Sequence, residues 1–167
     1  MNAKVSCVLG AASLLLIWAA DAAAQTAATV GAYRLHCQVV PGAHDVIDAS
    51  SRRALVGASL SCRVEGGPMD GGLMAGTTLG EVRGDAYVGF SGSSVTRKPG
   101  SLLVSVHNEF GQRTVRDSDG KVKDMQGSGR GRYVLAIGDA APLSGRNYRY
   151  VVRGEGTGVV VVEVVPE

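Results

Sequence analysis

A chain of 167 residues in which 17 Lys and Arg face 15 Asp and Glu carries a net charge of only +2. That balance excludes the strong basic field of a nucleic-acid or anionic-membrane binder. Hydrophobic residues make up 45 % of the chain, with 24 glycines and few aromatics, a composition suited to a globular domain rather than a disordered one.

The first 24 residues read as a secretory signal peptide. Lys4 precedes the apolar run VLGAASLLLIWAA, and Ala22, Ala23 and Ala24 stand ahead of Gln25, so cleavage is expected after Ala24 and export to the periplasm or beyond. The run is shorter than the roughly 20 residues of a spanning helix, and no transmembrane segment is expected in the remainder. Removal of this segment takes away Cys7 and Trp18. It leaves residues 25–167 as one domain, with Cys37 and Cys62 as its two cysteines.

The first predicted strand, YRLHCQVV, places Tyr33, Leu35, Cys37 and Val39 on one face and Arg34, His36 and Gln38 on the other. The second, ALVGASLSCRV, sets Leu60, Cys62 and Val64 together. Both sulfurs point to the apolar side, and in an oxidising compartment a Cys37–Cys62 disulfide is expected. His36 and Cys37 are neighbours on opposite strand faces, which makes them a poor nucleophile–base pair. His36, His44 and His107 lack metal-ligand spacing, so neither a metal nor a cofactor is expected.

Between these strands, residues 41–54 have no clear period and read as a long loop or short helix. Residues 66–76, GGPMDGGLMAG, form a second irregular stretch. The runs TTLGEV, DAYVGF, SLLVSVHNEF, RTVR, GRYVLAIG, YRYVVR and GVVVVEVV complete eight or nine strands, cut by the turn signals SGSS, KPG, DSDG and LSGRN. Asp119-Gly120 suits a tight hairpin and Pro99-Gly100 a type II turn. VVVVEVV is apolar on both parities up to Glu163, as in a strand that closes a barrel. The fold expected is all-β, an antiparallel barrel of about eight strands, with a sandwich as the alternative.

Little here marks catalysis. The glycines of GSGRGR precede another strand, so they read as bends or bulges rather than a phosphate cradle. Carboxylates are scattered over turns and strands, and only convergence in space would make an acid–base pair of them. An arginine excess stands out in the last third: Arg130, Arg132, Arg146, Arg149 and Arg153 against Asp139 alone. These are candidate anion-binding residues, although a solvated sheet face would look the same. Tyr33, Tyr87, Phe90, Tyr133, Tyr148 and Tyr150 are candidates to line the barrel.

The segment GSGRGRYVLAIGDAAPLSGRNYRYVVRGEGTG, residues 127–158, resembles the C-terminal hairpins of secreted bacterial barrels of the allene-oxide-cyclase-like and calycin-like type. That resemblance implies a closed antiparallel barrel and carries over no catalytic residue. Small periplasmic inhibitors of lysozyme or proteases offer a second likeness in size and compartment. The expectation is a non-enzymatic binding protein, with a small apolar molecule in the barrel or an anionic partner on the arginine face. An envelope inhibitor or assembly factor acting through the loops at 41–54 and 66–76, and an enzyme with converging carboxylates, stay open.

Overall fold

The computed structural model describes residues 31–116, 122–156 and 158–167. The signal segment with its cleavage after Ala24, and the Asp119-Gly120 turn, lie outside them. Eight antiparallel strands follow one another around a closed barrel: β1 (Tyr33–Asp48), β2 (Arg53–Glu65), β3 (Leu73–Arg83), β4 (Ala86–Lys98), β5 (Ser101–Arg116), β6 (Val122–Ile137), β7 (Asn147–Gly156) and β8 (Val159–Pro166). Among the described residues no helix is long and apolar enough to cross a membrane.

VVVVEVV closes the ring, pairing with β7 on one side and β1 on the other. Val160, Val162 and Val164 are buried inside, and the intervening residues face outward. The closure is strongly staggered. A row of paired residues that leaves β1 at Asp48 passes through Arg53, Arg83, Ala86, Arg113, Gln126, Arg153 and Val161, and returns to β1 at His36. Such a stagger tilts the strands and widens the lumen. It also leaves β1 beyond Gln38 without strand pairing to β8, so β1 rises above its neighbour on that side of the rim.

Cys37 and Cys62 are direct partners in the β1–β2 ladder, with Cα atoms 4.0 Å apart, and form a disulfide on the inner face. His36 points outward, where its Nε2 lies 2.7 Å from a Glu65 carboxylate oxygen.

Several expected boundaries shift. The 41–54 region is not a loop or helix: β1 runs to Asp48 and β2 starts at Arg53. Irregular registers at Pro41/His44 and Val46/Asp48 break the alternation that would have shown the strand. The turn between them is built on Asp48, whose carboxylate accepts hydrogen bonds from the Ser50 amide and from both the Ser50 and Ser51 hydroxyls. Of the 66–76 stretch only the part before Leu73 is irregular. SGSS is not a turn but the interior of β4, and RTVR is the far end of β5 rather than a strand of its own. Pro99-Gly100 does make the β4–β5 turn, with Gly100 at φ 75° as a type II corner requires.

The lower end of the barrel is filled. A short 3-10 helix, Gly138–Leu143, buries Ala140 and Leu143, and the β2–β3 loop buries Met69. The Tyr33 and Tyr133 hydroxyls meet at 3.0 Å above this floor. Lys98 fastens it from outside, its ammonium 2.8 Å from the Asp139 carboxylate and 3.1 Å from the Pro68 carbonyl. Toward the upper end the inward residues Val56, Ala58, Thr78, Tyr87, Gln112, Thr114 and Met125 are only half-buried. The barrel is therefore a cup with one closed end.

Candidate functional site

Inside the cup lies a cavity of about 270 Å³, reaching from Tyr33 and Val164 near the floor to Val56 and Thr114 near the rim. Its walls differ in chemistry. Leu35, Val39 and Leu60 on β1 and β2, with Val160 and Val162 on β8, make an aliphatic side. Ser94 and Thr96 on β4, and Ser105 and His107 on β5, make a polar one, joined by Tyr148 on β7. In a ring of eight strands β4 and β5 stand across from β8 and β1, so the two walls face each other. No Asp, Glu, Lys or Arg lines the cavity among the described residues.

The polar wall comes from an inverted strand pattern. In LLVSVH the more apolar parity, Leu102, Val104 and Val106, faces outward, and Leu103, Ser105 and His107 face in. A register shift between His107 and Glu109 then moves the inward set to Phe110, Gln112 and Thr114. The Ser94 and Ser105 hydroxyls hydrogen-bond at 2.7 Å. The Tyr148 hydroxyl lies 3.1 Å from His107 Nδ1 and donates to the Val106 carbonyl at 3.2 Å. The contact with His107 engages Nδ1 and leaves Nε2 as the ring nitrogen open to a further hydrogen bond. Among the described residues Nε2 has no protein partner, and no polar side-chain atom is both sealed from solvent and unpaired. Nε2 therefore opens on the cavity that its ring lines.

Burial pushes the His107 imidazole down to about 4, and it raises the Tyr148 phenol to about 12. The Tyr33, Tyr133 and Tyr150 phenols are raised by burial as well. Near neutral pH the cup therefore holds no charge. His107 packs edge-on against Phe110, Tyr148 and Tyr150, with ring centroids 5.4 to 6.0 Å apart.

Inward-facing glycines make room for these rings. A Cβ on Gly129 would strike Tyr150, one on Gly131 would strike Tyr148, one on Gly89 would strike Phe110, and one on Gly92 would press on His107. Each ring thus lies flat over a partner strand instead of projecting across the lumen, and the space at the centre stays open. This is the role of the second and third glycines of GSGRGR, Gly129 and Gly131.

Of the aromatic candidates, Tyr87, Tyr148 and Tyr150 line the cavity, Tyr33 reaches its lower end, and Tyr133 is buried in the floor. Phe90 does not line the barrel: it is 53 % exposed on the outer side of β4, where the register shift at Leu79/Gly80 reverses its direction. His107, Ser94, Thr96 and Ser105 were not singled out by sequence. The alternation of Leu103, Ser105 and His107 was the available signal.

The five arginines are all exposed and do not converge on the cavity. Arg130 and Arg149 stand directly opposite each other on β6 and β7, and neither takes part in an ion pair among the described residues. Arg132 donates from Nε to the Gly145 carbonyl at 3.2 Å, and Arg146 from Nε to the Glu167 carbonyl at 2.9 Å. Arg153 pairs across the ladder with Gln126.

No group of His, Cys, Asp or Glu among the described residues is placed to hold a metal ion. No protein-family model matches the chain, and no curated protein or solved structure matches it either.

Proposed function

We propose that the protein is a binding protein that holds a small, largely apolar molecule inside the barrel. The observation that carries this reading is the open, uncharged cup of about 270 Å³ above a packed floor. A barrel of this strand number can be filled by side chains or hold one small ligand, and here the flattened rings leave it unfilled. A lining that is mostly apolar with a few convergent polar groups is the usual make-up of a small-molecule site.

The test compares native and denatured mass spectra of the protein taken from its own compartment. A retained ligand appears as added mass in the native spectrum alone. Ala58→Trp, which fills the upper cup, removes that added mass while the circular dichroism spectrum stays that of a β-barrel. A bare native chain that also takes up no apolar probe would reject the reading.

A second reading, an anionic partner on the outer face, is favoured by the unpaired Arg130 and Arg149. Arginine forks suit carboxylate or phosphate groups. It predicts salt-sensitive binding to a polyanion that is lost in an Arg130→Gln, Arg149→Gln double variant and unaffected by Ala58→Trp.

A further inference from the structure

The two-sided lining of the cup limits the chemistry of what it can hold. An apolar cavity of about 150 Å³ admits benzene, so the present space has room for a molecule of roughly 11 non-hydrogen atoms. That is the size of a fused bicyclic ring and well short of a long acyl chain. A carboxylate or ammonium group brought into the lumen would meet no counter-charge, and burying an unpaired ion is costly. A wholly apolar guest would instead strip water from the hydroxyls of Ser94, Thr96 and Ser105 and from Nε2 of His107 without replacing it.

We infer that the ligand is an uncharged, ring-sized molecule with one hydrogen-bonding group on its edge, a phenol or alcohol. Its apolar body lies on the Leu35, Leu60, Val160 and Val162 wall, and its hydroxyl hydrogen-bonds His107 Nε2. This rests on the small-ligand reading above and narrows it. Three features converge on the same spot: the Tyr148 contact that engages Nδ1, the aromatic neighbours Phe110 and Tyr150 that hold the ring edge-on, and the Gly92 position that lets the imidazole lie against β4. His107 is thereby fixed in direction, with its free nitrogen turned to the cavity.

Three probes on the same bicyclic ring separate the possibilities: naphthol and methylnaphthalene, which match in size, and the charged, slightly larger naphthoate, each titrated calorimetrically into the protein at neutral pH. Naphthol is expected to bind about tenfold more tightly than methylnaphthalene, the worth of one well-made hydrogen bond, and naphthoate more weakly than either. His107→Phe should erase the advantage of naphthol and leave methylnaphthalene bound. Tyr148→Phe, which removes only the hydroxyl that orients the imidazole, is the milder variant if the first does not fold, and it should reduce the same ratio.

Equal binding of naphthol and methylnaphthalene would overturn the hydrogen-bonding anchor while leaving the cup reading intact. Binding of naphthoate as tight as that of naphthol would overturn the requirement for an uncharged guest. Failure of all three probes to bind would instead reject the cup itself.

Discussion

Gly131 on β6 and Tyr148 on β7 are direct ladder partners, and the Tyr148 ring occupies the space where a side chain at 131 would begin. Gly131→Ala must therefore push the phenol off the wall and into the lumen. The expected result is a loss of about 1–3 kcal/mol in denaturant unfolding, the usual cost of overpacking. Weaker binding of apolar probes should accompany it, since the displaced ring takes up cavity space. An unchanged unfolding midpoint would show that the ring is not held there.

The Cys37–Cys62 disulfide joins adjacent strands at a sequence separation of 25. Reduction, or the Cys37→Ala, Cys62→Ala double variant, should cost about 2–4 kcal/mol of unfolding free energy. Equal melting temperatures with and without reductant would contradict this.

Acid should weaken the fold in two stages. His107 is depressed to about 4 by burial, against an ordinary value near 6.5. The unfolded chain then binds the proton more readily, so stability is full above about 6.5 and falls as pH drops toward 4, by at most about 3 kcal/mol. Among the described residues no carboxylate lines the cavity to offset that charge. Glu81 is held down to about 2 by hydrogen bonds from Arg83 and then Arg53. Its contribution is present above its ordinary value of 4.5 and is lost as pH falls from there toward 2. Urea melts across pH 7 to 2 should lose the first stage in His107→Phe and show a smaller second stage in Glu81→Gln, the rest of it coming from Asp48 and Asp124, whose carboxylates are also held down by hydrogen bonds, from Ser51 and Ser50 and from Gln126.

The cross-strand pair Arg130 and Arg149 sets like charges side by side. Arg130 also stands opposite Glu109 on β5, whereas the other ladder partner of Arg149 is Val165, so Arg149→Gln should raise stability by a few tenths of a kcal/mol at low ionic strength, with the gain vanishing in high salt. A loss of stability would mean that the arginines find favourable partners in solution.

How far the molecule could be read from sequence depended on how well each strand kept its period. YRLHCQVV alternates cleanly, so the inward Cys37, the outward His36 and the disulfide were legible. Bulges hid the rest of β1, where Pro41 and Gly42 looked like loop residues and are strand. The chemical site was harder to see for a physical reason. On β4 and β5 the small and polar residues face in, around an open cavity rather than a packed core. A rule that sends apolar residues inward therefore reads Ser94, Ser105 and His107 as solvent-facing. The glycines of GSGRGR were noticed as strand residues. Their purpose, however, depends on rings from a strand nearly twenty residues further along the chain, and no local pattern reports that approach.

The stagger that leaves the upper half of β1 without pairing to β8 also bears on access to the lumen. Among the described residues Leu143, Ala140 and Met69 block the lower end, so under the proposed small-ligand reading a guest would arrive and depart over the rim, past its low side by the β7–β8 turn. No ladder hydrogen bond has to break for that passage. Release is then paced by rehydration of the guest and the polar wall rather than by unzipping of strands. Occupancy should re-equilibrate with the surroundings quickly, as it does for a carrier that hands its cargo on and not for a vessel that locks it away.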